Sequence, residues 1–311
     1  MKAFKRNGEW DSMIKTVTSD ISEKDVGIVL PHEHICCYSE YLYAMKGDKY
    51  ICKDKLFEYS CEYLKELKEK YNLKTFIDCT PINIGRDIDL LKRISNETGL
   101  NIISSTGFYF IEEAILFKTQ VDDITDAIIT DAVNTNAGII KCATEKQEIT
   151  PYIEKILRAC ARAQFKLNLP IVMHTNARNK NGIKALEILL EEGVDPKAIT
   201  VGHLSDTDDV EYIKYFADKG CFIGLDRIRL NTSDEYVQKM VDIINSLAED
   251  GLGDKILLSH DSLFFNGFKG EDMYFTPPRL SFSFDYIIPK LDNELQKKIM
   301  IDNPLRMLTI K

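Results

Sequence analysis

The chain has 311 residues, 44% hydrophobic and 29% charged, which excludes a disordered or fibrous protein and leaves room for a large core. Forty Lys and Arg stand against 49 Asp and Glu, a formal charge of -9, and no basic block tracks a phosphate backbone, so nucleic acid is not an expected partner. The opening MKAFKRNGEWDSM has no apolar run of a secretory signal, and no stretch approaches the ~18 apolar residues of a membrane span.

Cysteines at 36, 37, 52, 61, 79, 142, 160 and 221 show no Cys-X-X-Cys spacing, so they read as reduced thiols of a cytoplasmic protein. The first apolar run, Gly27 to His34 (GIVLPHEH), ends in two histidines one residue apart, which on an extended chain face the same side. Asp54 to Asn72 carries Tyr63, Leu64, Leu67 and Tyr71 at helical spacing. Thr75 to Cys79 is a short β-branched and aromatic run, followed by a helix over Ile88 to Thr98.

The alternation continues with a strand at Asn101 to Gly107, a helix through Asp123 to Asn134 and an apolar run ending at Lys141. Thr150 and Pro151 read as the cap and first residue of a helix. Later runs end at His174, His203, Asp226 and Asp261, with helices between them and a long irregular loop from Ser262 to about Arg279. Eight nearly continuous apolar runs alternating with amphipathic helices predict a parallel sheet covered by helices, most simply a (β/α)8 TIM barrel. No Gly-rich phosphate turn follows the first strand and no linker or repeat appears, so one domain over 1–311 is expected.

In such barrels chemistry sits at the C-terminal strand ends. Here His32, Lys141, His174, His203, Asp226 and Asp261 end six of the eight runs, and His34 lies just beyond the first. Four histidines and an aspartate suit zinc or a similar divalent ion. Lys141 has no acceptor as an ammonium, so it is either a cation for substrate or a carbamate formed with carbon dioxide. His260 neighbours Asp261 and points to the opposite side, toward the helices, as a packed core residue.

The blocks GIVLPHEH, DCTPINIGRD, STGFY, GIIKCAT, IVMHTNA, VGHLSDTDD, CFIGLDR, LLSHD and DNPLRML resemble, in order, those of the phosphotriesterase family of the amidohydrolase superfamily, from about Val26 to Leu308. The resemblance implies a binuclear metal-dependent hydrolase with two divalent ions, zinc first and manganese or cobalt as the other candidates. His32, His34 and Asp261 would hold the more buried ion, and His174 and His203 the other. Lys141 as N6-carboxylysine would bridge the two. A metal-bridging hydroxide would attack, with Asp261 taking the proton. A small-molecule substrate, a homodimer and no membrane partner are expected.

Three regions bear on the bond broken. Arg227 stands where phosphotriesterases proper have a relay histidine, and arginine cannot relay protons near neutral pH. Tyr109 and Arg227 both resemble the lactonase branch, and Asp206 matches a supporting carboxylate of the family. In the eighth loop, Phe264, Phe265, Phe268, Tyr274 and Phe275 offer an apolar cap, whereas Lys269, Arg279 and nearby Arg229 offer cations for a phosphate. The expectation is a lactonase acting on a sugar or phosphosugar lactone, with hydrolysis of organophosphate triesters or carboxylic esters as the alternative. Asp78, Arg86 and Asp87 are expected to order the second loop.

Overall fold

A computed structural model of the protein describes residues 5–6, 9–10, 13–228, 233–268 and 279–310. From Ile28 onward strand and helix alternate. The main sheet contains β1 Ile28–Cys37, β2 Leu73–Asp78, β3 Asn101–Gly107, β4 Ile139–Ala143, β5 Ile171–His174, β6 Ile199–Val201, β7 Phe222–Leu225, β8 Ile256–Leu258 and β9 Leu263–Asn266. Its order is β8-β7-β6-β5-β4-β3-β2-β1-β9, and every neighbouring pair is parallel. The longer helices between them are α1 Lys53–Tyr71, α2 Ile88–Thr98, α3 Val121–Thr135, α4 Pro151–Leu167, α5 Gly182–Glu191, α6 Val210–Lys219 and α7 Asp234–Glu249.

Local chemistry places these boundaries. Thr150 caps α4 by accepting from Ile153 N, and Asp87 and Asp209 do the same for α2 and α6. Asn72, Asn136 and Asn168 end α1, α3 and α4 in the left-handed conformation that asparagine tolerates. The period of two along the strands separates two apolar layers. Val29, Ile77, Ile103, Ile139, Val172 and Leu257 form one cluster on one face of the sheet. Their neighbours Leu30, Phe76, Ile102, Ile140 and Ile171 pack with the helices in the other.

The chain leaving β8 is bonded on both sides. Ser259 N donates to Leu225 O on β7 at 3.3 Å. Asp261 N donates to His32 O at 3.2 Å and His34 N to Ser262 O at 3.0 Å, on β1. The curled sheet therefore brings the end of its eighth strand against its first.

Two sequence expectations change here. The eighth loop contains β9, which runs parallel to β1, and this turns Phe264 and Phe265 into core residues. Phe264 packs edge-on against Tyr59 and Tyr63, and Phe265 against Tyr50, so neither forms a cap over a substrate. Tyr274 and Phe275 lie outside the described residues. In the second loop, Asp78 accepts from the backbone of Ile35 and Thr80, Arg86 forks onto Asp131, and Asp87 pairs with Lys53. No helix among the described residues is long and apolar enough to cross a membrane.

Candidate metal centre

The six expected ligands converge toward the C-terminal side of the sheet. β1 runs on to Cys37, past the end expected at His34, so His32 and His34 lie within β1 and Lys141 within β4, while His174 ends β5 and His203 and Asp261 follow β6 and β8. His32 and His34 present their rings on one side of β1, and His32 Nε2 lies 2.7 Å from Lys141 Nζ on β4. Asp261 Oδ1, just past β8, is 3.1 Å from His34 Nε2 and 3.6 Å from His32 Nε2. His174 Nδ1, ending β5, and His203 Nε2, after β6, face each other at 2.8 Å. His32, His34 and Asp261 form a group compact enough for one ion, as do His32, His203 and Asp226.

The partners of each ring decide which nitrogen is free. His32 Nδ1 donates to Asp226 Oδ2 at 2.5 Å, and His203 donates to Asp226 Oδ1 from its backbone N at 2.7 Å and its Nδ1 at 2.9 Å. His34 Nδ1 donates to Thr80 Oγ1 at 2.8 Å, since that hydroxyl gives its own hydrogen to Cys36 O. His174 Nε2 donates to Glu145 Oε2 at 3.0 Å, and Asn176 Nδ2 donates to Glu145 Oε1. His32, His174 and His203 each thereby spend one nitrogen on an orienting partner and turn the other, with its lone pair, toward the common centre. His34 differs, since its Nε2 faces Asp261 Oδ1. Against the downward pull of burial, Cys37 and Asp261 raise that imidazole to about 10, so a metal ion there would have to displace a proton. Burial pulls His174 down to about 4, so it is neutral near pH 7, as ligation requires.

Asp226 is the hinge of this arrangement. Burial alone would raise its carboxyl, but the imidazoles of His203 and His32 outweigh that and bring it well below the usual carboxylate range. Gly202 and Gly224 make room for it, since an added Cβ would come within 3.0 and 2.8 Å of Asp226 Oδ2. Two of the expected ligands, His203 at φ 65° and Asp261 at φ 50°, adopt the left-handed conformation, at a cost of ~1–2 kcal/mol each.

Lys141 is buried, and among the described residues no carboxylate oxygen lies within 4.0 Å of its Nζ. Three donors with one imidazole partner are a poor environment for an ammonium. The strand end is set by Gly107, at φ 95°, where an added Cβ would stand 2.1 Å from Lys141 O. That approach also lets Phe108 N donate to Lys141 O, which swings Tyr109 toward the centre.

The profile of the phosphotriesterase family matches residues 12–308. The chain belongs to the phosphotriesterase family. It is similar to an aryldialkylphosphatase of Saccharolobus solfataricus, with 38% identity over 249 residues covering 78% of each chain. A phosphotriesterase homology protein of Mycobacterium tuberculosis is 29% identical over 94% of this chain and 97% of its own. The N-acetyltaurine hydrolase of Homo sapiens is 26% identical over 96% and 98%. Family membership makes the protein a metal-dependent hydrolase, and the oriented donor set fits the binuclear centre of the family.

Beyond the expected ligands, this phosphotriesterase-family site joins three further residues expected from sequence. Arg227 Nε donates to Asp261 Oδ2 at 2.7 Å and its Nη1 to Asp206 Oδ2 at 3.1 Å, so the guanidinium links both carboxylates. Tyr109 stands edge-on to His174, ring centroids 5.2 Å apart, and burial pushes its phenol well up, so it stays protonated. A cavity of about 390 Å³ opens onto these groups, walled by Ile84, Phe110, Ile111, Leu263 and Phe268 with Cys37 and Asn266.

Arg279 is exposed and is not among the residues lining that cavity; its backbone N donates to Ser262 Oγ. Arg229 and Lys269 lie outside the described residues. Sequence reasoning gave no role to Asp226, Glu145, Thr80 or Glu33. Asp226 carried a signal as a polar strand end, and Glu33 as the residue between the two histidines. Glu145 and Thr80 carried none, because loop side chains reach their histidines only in three dimensions.

Proposed function

We propose that the enzyme opens a lactone ring at two divalent ions, zinc first, held by His32, His34, Asp261, His174, His203 and carboxylated Lys141, with the sheet closed around them as a (β/α)8 barrel. When bound, such ions supply Lewis acidity and lower the pKa of a water toward neutrality. Carboxylation would turn Lys141 into an anionic ligand with two oxygens sharing one charge, and would remove an ammonium that has no carboxylate partner among the described residues. The single observation that carries the lactone reading is Arg227 bonded to both Asp261 and Asp206.

Asp261 offers Oδ1 to the histidine side while Arg227 holds Oδ2. That carboxylate accepts the proton of the attacking water and returns it to the leaving oxygen. Arg227 stays cationic, so no proton passes through it to Asp206. The protonated Tyr109 phenol donates to the substrate's carbonyl oxygen, and the apolar wall excludes water from the ring.

For the ring substituent, the described wall is apolar and favours an alkyl or acyl group. A sugar phosphate would draw on Arg229 and Lys269. A second reading, cleavage of a phosphate triester, is favoured by the 38% identity to a protein named aryldialkylphosphatase. The test is kcat/KM of zinc-loaded enzyme on an alkyl-substituted γ-lactone, a phosphorylated sugar lactone, an aryl dialkyl phosphate and an N-acyl amide. A lactone is expected to lead by about tenfold or more. Faster cleavage of the phosphate triester or the amide rejects the lactone reading.

A further inference from the structure

β1 carries Glu33 between His32 and His34, and the segment after β8 carries His260 beside Asp261. Side chains alternate along the extended β1, so Glu33 faces away from the centre, and His260 is found on that same side, bonded to it. They meet there, with both side chains fully buried. Glu33 Oε1 accepts from Ser259 Oγ at 2.7 Å, His260 N at 3.0 Å and His260 Nδ1 at 2.8 Å, and Oε2 accepts from Ser262 N at 2.9 Å.

The backbone N–H groups of His260 and Ser262 flank Asp261. One carboxyl therefore grips the chain on both sides of the residue that holds a left-handed φ of 50°. The network reaches the partner strand too, since Ser259 Oγ accepts from His32 N at 3.1 Å. Ser283 N donates to His260 Nε2, which leaves the ring hydrogen on Nδ1 to bond Glu33.

We infer that Glu33, braced by His260, is the positioning residue for Asp261, setting its carboxylate against His32 and His34. The inference rests on the reading of Asp261 as a metal ligand. Glu33→Gln keeps the size of the side chain but faces an amide NH2 either to the donors at Ser259 and His260 or to Ser262 N–H. In both orientations a donor meets a donor, and the turn bearing Asp261 must shift.

The experiment compares the full-length protein with Glu33→Gln, His260→Leu, His260→Asn and Asp261→Asn. Zinc stoichiometry and the two affinities are read by chelator competition, and amide exchange at 259–262 is read in the metal-free forms. Glu33→Gln and His260→Leu are expected to weaken one of the two ions by about 10–100-fold and to speed exchange at 259–262. His260→Asn keeps a donor toward Glu33 and is expected to retain most of the affinity. Wild-type affinity for both ions in Glu33→Gln and His260→Leu, or an equal fall for both ions, overturns the inference. Asp261→Asn separates the two readings. If it leaves both affinities unchanged, Asp261 is not a ligand and both readings fall; if it alone weakens one ion, only the positioning role falls. Where Glu33→Gln does not fold, His260→Leu carries the same test.

Discussion

Asp226→Asn probes the centre through its tautomers. The Asp226 carboxyl accepts three hydrogen bonds, from His32 Nδ1, His203 N and His203 Nδ1. An amide has one oxygen and one NH2 group. With its NH2 toward His32, that ring must take its hydrogen at Nε2, the nitrogen that faces Lys141 and Asp261. With its NH2 toward His203, two donors of His203 are left facing a donor, and its ring hydrogen is driven onto the nitrogen that faces His174. Either way one ligand nitrogen is lost. Loss of such an orienting partner weakens a metal by about 10–100-fold, or ~1.4–2.7 kcal/mol. The assay is chelator competition for zinc on the folded variant, with kcat measured at saturating zinc. Wild-type zinc affinity in Asp226→Asn would refute the tautomer argument.

Lys141→Ala is expected to abolish turnover, with partial rescue by short carboxylic acids that replace the carbamate; full retained activity rejects carboxylation. Burial would raise the Asp261 carboxyl, but His203, His34 and Arg227 hold it well below the usual range. Removing the cation in Arg227→Met should therefore move the acid limb of the kcat/KM profile to higher pH, and an unmoved limb contradicts the link. Gly107→Ala adds a Cβ 2.1 Å from Lys141 O at φ 95°, costing ~1–3 kcal/mol in backbone strain and ~1–3 kcal/mol in overlap. A denaturant titration showing a loss under ~1 kcal/mol would contradict this. Burial pushes the thiols of Cys142 and Cys221 up to about 12 from an ordinary value of 9.0. The unfolded chain sheds those protons first, so their contribution is intact below pH 9 and is lost as pH rises toward about 12. Thermal scans across that window and slow reaction of these cysteines with a thiol reagent near pH 8 check it.

The repeating alternation of apolar runs and amphipathic helices was legible because each strand of a covered parallel sheet is apolar on both faces. The bounds expected for α2 and β3 are those observed, and α4 starts at its Thr150–Pro151 signal. β9 was not legible, since LFFN lies directly beyond the eighth run in a stretch that reads as loop, and its pairing with β1 is wholly long-range. That pairing moved Phe264 and Phe265 from an imagined substrate cap into the core.

By itself the sequence determined the chemistry available: four histidines, Lys141 and Asp261 in or just after the apolar runs, and at 227 an arginine, which cannot relay protons near neutral pH. Residue type and period are local properties, so they can be read along the chain. The tertiary structure decided which nitrogen of each ring is free, because Asp226, Glu145 and Thr80 come from other strands and loops. It also decided that Glu33 and His260 close behind Asp261, across a separation of 227 residues. Hydrogen-bond partners so far apart in the chain are specified by the curl of the sheet, and no spacing within a single segment encodes them.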